Sequence, residues 1–318
     1  MDEKRILLKK HFGSDGFRPG QEEAINAILS GRDVFAVMPT GSGKSLCYQL
    51  PALMMSGLTL VVSPLISLMK DQVEALNARG IPAAYINSSL SYYDMQSVRE
   101  DVKAGRCRLL YVSPERLSDK GFIRLAKSAD ISVVAVDEAH CISQWGHDFR
   151  PAYLRIAEFI DALPHRPVVG AFTATAAKRV KKDIIKLLRL DSPKMISTGY
   201  DRPNLYFSVI KCENKYQELE RIIEGLNGEL GIIYCQTRNS VESVFERLNA
   251  RGYSVCKYHS GMSESDRRRN QNDFISGKTA IMAATCAFGM GIDKPDISFI
   301  IHMSMPSNLE SYYQEAGR

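Results

Sequence analysis

The sequence predicts an α/β protein of two tandem domains, each with a mainly parallel sheet flanked by helices. Short apolar segments alternate with amphipathic ones along almost the whole chain, as in repeated β-α-β units. Several apolar segments are near-continuous runs of Val, Leu and Ala, which are typical of buried parallel strands. The alternation is interrupted at residues 197–203, where Gly and Pro stand close together. We therefore expect domains at residues 1–199 and 200–318.

Each apolar run predicts a strand, and each longer periodic stretch predicts a helix. In the first series, strands are expected at 33–38, 58–62, 109–112, 132–136 and 168–172, with a helix at 66–79 that Gly80 ends. In the second series, strands are expected at 206–209, 231–235, 254–258, 279–284 and 297–302, and helices at 215–226, 241–250 and 264–275.

The bulk composition excludes several classes of protein. Apolar residues form 45% of the 318 residues, and no run approaches the 18 apolar residues of a membrane span. The first residues lack the apolar core of a signal peptide, so we expect a cytoplasmic protein. The seven cysteines are scattered without a Cys-x-x-Cys pair, which argues against a disulfide framework or a zinc site. The net charge of +5 is compatible with nucleic acid but does not require it.

One segment has the composition of a phosphate-binding loop. It runs from Met38 through Pro39 and then Thr40, Gly41, Ser42, Gly43, Lys44 and Ser45. It follows a predicted strand, and small residues stand where a backbone must approach phosphate. Lys44 is expected to reach the β- and γ-phosphates and Ser45 to bind Mg²⁺. The usual pattern starts with Gly at the position of Met38, so the loop is a variant of it.

A pair of acids supplies the second half of a nucleotide site. Asp137 and Glu138 end a predicted strand about ninety residues after the loop. We expect Asp137 to bind the metal, and Glu138 to orient or deprotonate the attacking water. Because the loop and the acids occur together and in this order, the sequence predicts a protein that handles a nucleoside triphosphate and Mg²⁺.

The whole set of motifs resembles the RecQ family of DNA helicases, within superfamily 2. Besides the loop and Asp137-Glu-Ala-His140, the matching segments are Phe12-Gly-x-x-x-Phe-Arg18-x-Gly-Gln21, Val61-Val-Ser-Pro-Leu-Ile-Ser-Leu-Met-Lys-Asp-Gln72, Tyr111-Val-Ser-Pro-Glu-Arg-Leu117, Cys141-Ile-Ser-Gln-Trp-Gly-His-Asp-Phe-Arg-Pro-Ala-Tyr153, Ala171-Phe-Thr-Ala-Thr-Ala176, Ile232-Ile-Tyr-Cys-Gln-Thr-Arg238, Tyr258-His-Ser-Gly-Met262 and Ala287-Phe-Gly-Met-Gly-Ile-Asp-Lys-Pro295. They span nearly the entire chain.

This resemblance implies two RecA-like domains that use ATP and Mg²⁺ to move along single-stranded DNA. It implies 3′-to-5′ movement, unwinding of duplexes, and a role in recombination and repair. The expected partner is single-stranded and partly duplex DNA, without a membrane. By the same resemblance, Arg18 and Gln21 read adenine; the sequence alone does not connect them to the loop, and an exposed helix start is the alternative.

The loop after the acidic motif is a candidate DNA sensor. Trp145, the only tryptophan, stands among Gln144, His147, Phe149 and Arg150, and an aromatic ring among cations suits an unstacked base. Core packing is the alternative for this tryptophan. The resemblance implies that this loop senses single-stranded DNA and couples it to ATP hydrolysis.

Several strand ends carry weaker candidates. Small hydroxyls and exposed N–H groups suit backbone phosphates, although ordinary turn chemistry explains them as well. The phosphate candidates are Ser63, Pro64, Ser113, Pro114, Thr237, Arg238 and Thr285. Thr173 and Thr175 are candidates for coupling the phosphate site to domain movement. The resemblance places Gly289, Gly291 and Asp293 near the nucleotide. The run from Arg267 to Arg269 is better explained as a solvated helix face.

The last motif contributes Gln314 and Arg318, which the resemblance places facing the γ-phosphate. RecQ-like motifs continue with a further Gly-Arg after the position of Arg318, and terminal residues tend to fray. We therefore expect this segment to bind ATP but hydrolyse it weakly. Two alternatives stay open: an RNA helicase or translocase that does not unwind DNA, and an ATP-gated nucleic-acid-binding module. Preferred DNA structure, step size, oligomeric state and protein partners are not defined by the sequence.

Overall fold

A computed structural model describes residues 2–87, 90–146, 148–199, 202, 204–226, 228–286, 288, 294 and 296–318. The chain forms two compact units, Met1–Tyr200 (unit 1) and Asp201–Arg318 (unit 2). Each unit contains a parallel sheet with helices between its strands, so the predicted α/β fold class is confirmed.

The helices and strands of unit 1 alternate along the chain. Its helices are α1 (Glu3–Phe12), α2 (Gln21–Leu29), α3 (Leu46–Gln49), α4 (Pro51–Met54), α5 (Ile66–Ala78), α6 (Tyr92–Lys103), α7 (Lys120–Ser128), α8 (Ile156–Asp161) and α9 (Lys178–Leu187). Short 3₁₀ helices cover Pro114–Ser118, Ala139–Ile142 and Pro151–Arg155. Its strands are β1 (Val34–Val37), β2 (Leu58–Val62), β3 (Ala83–Ile86), β4 (Leu109–Val112), β5 (Ile131–Val136), β6 (Val168–Thr173) and β7 (Lys194–Ser197).

Unit 2 repeats the arrangement on a smaller scale. Its helices are α10 (Lys215–Gly225), α11 (Arg238–Ala250), α12 (Glu264–Ile275) and α13 (Leu309–Ala316). Its strands are β8 (Gly231–Tyr234), β9 (Val255–Tyr258), β10 (Ile281–Ala284) and β11 (Phe299–His302). Their order in the sheet is β11-β8-β10-β9, and every pair is parallel.

The sheet of unit 1 has the order β3-β4-β2-β5-β6-β1-β7, with parallel pairing throughout. Alternate residues of its strands face opposite sides, as Phe35 and Ala36 of β1 do, and each side has its own apolar core. Residues of the central strands are buried on both sides. That burial explains why these strands are continuous apolar runs in the sequence.

The predicted strand at 206–209 is wrong. Residues 205–210 form neither helix nor strand, and 92% of Tyr206 and 86% of Val209 are exposed. The apolar alternation suits a strand, but a strand also needs a hydrogen-bonded neighbour, and none of the described residues pairs with this segment.

Two strands were absent from the predictions, β3 and β7, and both lie at an edge of the seven-stranded sheet. Each is four residues long, and their residues are mostly half-buried or exposed, so the apolar signal is weak. The helix predicted at 241–250 begins earlier, at Arg238, because the side chain of Thr237 accepts a hydrogen bond from the Ser240 N–H and caps it. Among the described residues, no helix is long and apolar enough to span a bilayer.

Candidate functional site

The sequence motifs of unit 1 meet at one edge of its sheet. The strand register aligns Val37 with Thr173, and Val62 with both Val112 and Val136. Since all strands are parallel, their carboxyl ends lie at the same edge, and the loops that follow them are neighbours there. Such an edge is where open α/β sheets bind their ligands.

The predicted phosphate loop follows β1 and leads directly into α3. Gly41 and Gly43 have φ values of 75° and 77°, a region that residues with a side chain rarely adopt. A Cβ on Gly43 would lie 2.6 Å from Nε2 of Gln21. Both glycines are therefore required by the shape of the loop. This shape agrees with the phosphate-binding role that the sequence predicts.

Lys44 bends back over the loop that carries it. Its Nζ donates to the carbonyl oxygens of Met38 at 3.2 Å and Pro39 at 3.4 Å. These are long hydrogen bonds to neutral acceptors. A phosphate oxygen would form a shorter, charge-assisted bond with the same ammonium group.

Arg18 and Gln21, which the sequence could not link to the loop, hydrogen-bond to it. The Gln21 amide nitrogen donates to the carbonyls of Ser42 and Gly43, both at 3.0 Å. Its amide oxygen accepts from the Arg18 N–H at 2.8 Å, and the Arg18 guanidinium donates to the Gly41 carbonyl. Gln21 is buried. These two side chains therefore fix the loop conformation, and adenine readout stays a prediction.

Asp137 and Glu138 directly follow β5. Burial and then the charge of Glu138 raise the pKa of Asp137 to about 7, while the ammonium of Lys44 lowers it. Lys44 and Asp137 are thus close enough to interact electrostatically. Glu138 has a φ of 47°, which is unusual for a residue with a side chain, and its N–H donates to Oδ1 of Asp137 at 3.0 Å. Such backbone strain occurs often at functional sites.

A buried polar network lies beneath the loop, and sequence reasoning missed it. The buried side chain of Tyr48 lies close to the side chains of Ser45 and Tyr111. The Tyr111 hydroxyl also accepts from the Gln49 amide nitrogen at 3.1 Å. The available signal was the pair Tyr48-Gln49 within an otherwise apolar stretch after Ser45. This polar cluster therefore lies next to the hydroxyl of Ser45, the predicted metal ligand.

The acidic motif is connected to the end of β6 through His140. Nδ1 of this buried histidine lies 3.3 Å from Oε2 of Glu138 and 2.9 Å from Oγ1 of Thr173. The Thr173 hydroxyl in turn donates to the Thr175 carbonyl at 2.9 Å. Since Thr173 uses its hydrogen there, its oxygen accepts from His140. The two predicted coupling threonines are therefore joined to Glu138 through one histidine.

Trp145 lies at the surface, with 60% of it exposed, so the core-packing alternative is wrong. The backbone N–H of Trp145 donates to Oγ of Ser143 at 3.2 Å, and the guanidinium carbon of Arg179 lies 3.5 Å from the centre of the indole ring. A Cβ on Gly146 would collide with the His140 carbonyl oxygen. This close approach attaches the loop to the acidic motif.

The other members of the aromatic-rich loop are distributed around Trp145. Gln144 is exposed and Phe149 is half-buried, whereas His147 lies outside the described residues. The guanidinium of Arg150 is held by two hydrogen bonds, which it donates to the Pro64 carbonyl at 2.7 Å and to the Asp148 carboxylate at 3.1 Å. Arg150 therefore braces the loop against the end of β2.

The strand-end residues predicted to contact DNA phosphates are buried. Ser63, Pro64, Ser113 and Pro114 all have little exposed surface. The Ser63 N–H donates to the Val112 carbonyl at 3.0 Å, as a continuation of the sheet. In this conformation these residues form the interior of the sheet edge and are not exposed to solvent.

In unit 2, the predicted residues occupy separate positions. Thr237 caps α11, and Arg238 donates to Oγ of Ser260 at 2.9 Å. On the last helix, Gln314 is buried and Arg318 is half-buried. Thr285 is half-buried, and the run Arg267–Arg269 lies on α12. The other three candidates, Gly289, Gly291 and Asp293, lie outside the described residues. Among the residues that are described, no group of three His, Cys, Asp or Glu could hold a metal ion.

Comparisons with known proteins agree with this geometry. The DEAD/DEAH box helicase family matches residues 18–184, and the helicase conserved C-terminal domain matches residues 214–318. The ATP-dependent DNA helicase RecQ of Bacillus subtilis (strain 168) is 47% identical over 98% of this chain and 53% of its own length. RecQ of Pasteurella multocida (strain Pm70) is 47% identical over 98% of this chain and 49% of its own. The chain thus spans about half the length of these relatives.

Solved helicase structures share the fold at low sequence identity. Dbp5 of S. cerevisiae, bound to RNA and ADP BeF3, superposes with a TM-score of 0.76 at 18% identity, over 100% of this chain and 84% of that one. The DUF1998 helicase MrfA bound to DNA gives 0.79 at 19% identity, over 100% and 49%. The predicted RecA-like architecture and the resemblance to RecQ helicases are thereby confirmed, and the chain belongs to the DEAD/DEAH box helicase family.

Proposed function

We propose that this chain is the motor of an ATP-dependent DNA helicase of the RecQ type. In this proposal it couples ATP hydrolysis to 3′-to-5′ movement on single-stranded DNA and to duplex unwinding in recombination and repair. The observation that carries the proposal is that Lys44, after β1, and Asp137 and Glu138, after β5, follow the carboxyl ends of parallel strands at one edge of the unit 1 sheet. The names of the relatives, ATP-dependent DNA helicases, support it.

The residues of this edge are suited to a magnesium-bound triphosphate. The glycine turn of Thr40–Ser45 allows the loop backbone to approach phosphate closely, and Lys44 supplies a cation to the β- and γ-phosphates. Ser45 and Asp137 are the proposed Mg²⁺ ligands, and both are hard oxygen donors. When bound, Mg²⁺ neutralises charge that develops on the phosphates.

Glu138 is the proposed base for the attacking water. Its left-handed backbone and the 3.3 Å contact of its Oε2 with Nδ1 of His140 are proposed to orient the carboxylate. A preoriented carboxylate can align a water molecule and accept its proton without further reorganisation. Arg18 and Gln21 are proposed to read adenine, in addition to holding the loop.

The two domains, proposed at residues 1–199 and 200–318, have different tasks. The first binds ATP, and the second contributes Gln314, Arg318, Gly291 and Asp293 to the nucleotide. A cation such as Arg318 that stabilises the transferring phosphoryl group accelerates turnover by about 10³–10⁵. Hydrolysis can perform work only if the affinity between the domains differs for the ATP and ADP states.

DNA binding is proposed for the Trp145 loop and for Thr237 and Arg238. The exposed indole offers one ring face to a base. Because the loop is joined to His140 and Glu138, a base that stacks on Trp145 acts on the catalytic carboxylate. Ser63, Pro64 and Ser113 are proposed to support the DNA-facing edge from beneath.

The test is steady-state ATP hydrolysis with single-stranded DNA, with RNA of the same sequence, and without nucleic acid. We expect stimulation by DNA that RNA does not match, together with unwinding of a duplex that has a 3′ single-stranded tail. Equal stimulation by RNA, or unwinding that requires a 5′ tail, would contradict the corresponding part of the proposal.

A further inference from the structure

Helix α9 concentrates the positive charge of the protein. Its ten residues include five cations (Lys178, Arg179, Lys181, Lys182 and Lys186) and one acid, Asp183. The net charge of this helix is therefore +4, against +5 for the whole chain. No motif or comparison described above gives a role to these cations.

The cations of α9 lie on one face of the helix. Val180 and Ile184 are buried in the core of the sheet, while Lys178, Lys182 and Lys186 are exposed. The spacing of four residues aligns these three lysines in a stripe about 12 Å long. None of them forms an ion pair with the residues that the structure describes. Like charges at this spacing destabilise a helix, and a bound anion would relieve the repulsion.

The lysine stripe is continuous with the Trp145 loop. Arg179, one residue from the first lysine, places its guanidinium over the indole ring at 3.5 Å. The one acid of the helix is turned towards the loop, because the Ser143 hydroxyl donates to Oδ2 of Asp183 at 2.6 Å. The lysine stripe therefore runs along α9 from the end that contacts the aromatic ring, and the one acid of the helix is turned away from it.

We propose that the lysine stripe of α9 binds the backbone phosphates of the nucleic-acid strand whose base stacks on Trp145. This inference rests on the proposed function, since it assigns that strand a path across unit 1. Charge complementarity selects the occupant. A polyanion with regularly spaced charges matches a row of unpaired lysines, and its base reaches the aromatic ring at the end of the row.

The test is the salt dependence of binding to a fluorescent single-stranded DNA. The variant Lys178→Ala/Lys182→Ala/Lys186→Ala keeps Arg179 on Trp145 and should fold, since the lysines are exposed and Ala favours helix. For a single strand, each phosphate contact contributes about 0.7 to the slope of log K against log [salt]. We expect the slope of the variant to be smaller in magnitude by about 2. The DNA concentration for half-maximal ATPase stimulation should rise, with unchanged basal and maximal rates.

The matched control is Lys120→Ala/Arg124→Ala/Lys127→Ala on α7. These cations are also exposed, and α7 packs against the 3₁₀ helix Pro114–Ser118 instead of the Trp145 loop. The control should keep the wild-type slope. Equal slopes for the α9 variant and the wild type, or equal reductions in both variants, would overturn the inference. The inference would also be overturned if the α9 variant lost binding to polyglutamate but kept wild-type DNA binding. That result would indicate that the lysine stripe binds an acidic protein. If the wild-type protein itself fails to bind DNA, the proposed function fails first.

Discussion

At the scale of single residues, Tyr48 is the least expected contributor to the site. Its buried side chain lies close to those of Ser45 and Tyr111. If the Tyr48 hydroxyl positions Ser45 through a hydrogen bond, removing that bond costs about 1 kcal/mol, which corresponds to a factor of roughly five. Tyr48→Phe should therefore raise the Mg²⁺ concentration needed for half-maximal ATPase activity about fivefold. Tyr92→Phe, at an exposed position, is the control, and an unchanged Mg²⁺ requirement in Tyr48→Phe would remove Tyr48 from metal positioning.

Gln21 allows the two roles suggested for it to be separated. If its amide reads adenine, the wild-type protein should use ATP at least tenfold better than GTP in kcat/KM, and Gln21→Ala should narrow the difference. If the residue only holds the phosphate loop through Ser42 and Gly43, Gln21→Ala should weaken both nucleotides equally. Equal use of ATP and GTP by the wild type would contradict adenine readout.

The residue scale also shows what the sequence could and could not predict. The types and spacing of Gly41, Gly43 and Lys44 identify the loop because phosphate chemistry restricts them to few choices. Arg18 and Gln21 are bound to that loop by contacts across some twenty residues. Such contacts depend on the packing of α2 against the loop, which no local pattern encodes.

At the scale of elements, the Trp145 loop is the part of unit 1 best suited to transmit DNA binding. Base stacking on an aromatic side chain is worth about 1–3 kcal/mol. Trp145→Ala should preserve the basal ATPase rate and raise the DNA concentration for half-maximal stimulation by roughly 5- to 150-fold. Tyr93→Ala, also an exposed aromatic, is the control. Full stimulation of the Trp145 variant at wild-type DNA concentrations would contradict the assignment.

A second element prediction concerns the attachment of α11 to β9 in unit 2. Glu242 accepts from Lys257 at 2.5 Å and lies 2.8 Å from Nε2 of His259. The pKa of Glu242 is held below its ordinary value of 4.5, mainly by the hydrogen bond from Lys257 and to a smaller extent by the one with His259. A carboxylate with a lowered pKa stabilises the fold above its unfolded pKa, and that stability is lost as the pH falls through the folded value.

Glu242→Gln should therefore speed amide hydrogen exchange in β9 at pH 7, with a difference from the wild type that shrinks below about pH 4.5. Glu246→Gln, an exposed position on the same helix, should have no such effect. A difference between Glu242→Gln and the wild type that persists at low pH would show that shape, not charge, is responsible.

Elements were predictable where burial is complete. The central strands β2 and β4 begin and end where the apolar runs predict, because both of their faces are buried. The edge strands β3 and β7 were missed, and the exposed segment at 206–209 was wrongly given a strand. Pairing at an edge is decided by the neighbouring backbone and not by the side chains of the segment itself.

At the scale of the whole molecule, one chemical arrangement organises unit 1. The parallel sheet of unit 1 brings the loops after β1 and β5 to a single edge. His140 contacts Thr173 there, and the close approach of Gly146 to the His140 carbonyl extends the site to the Trp145 loop. The fold class followed from the alternation of elements in the sequence. The connection between the acidic motif and the Trp145 loop did not follow from the sequence, because it depends on contacts of His140 and on a close backbone approach at Gly146.

The most direct measurement of the central claim compares ATP binding and turnover in Glu138→Gln with those of the wild type. The variant keeps the size and hydrogen-bonding capacity of the side chain but removes the base. We predict that Mg²⁺-dependent ATP affinity is preserved, while DNA-stimulated turnover falls by at least about 10², as expected for loss of general-base catalysis. Unchanged turnover in this variant would contradict the account, since the carboxylate beside Asp137 would then have no part in hydrolysis.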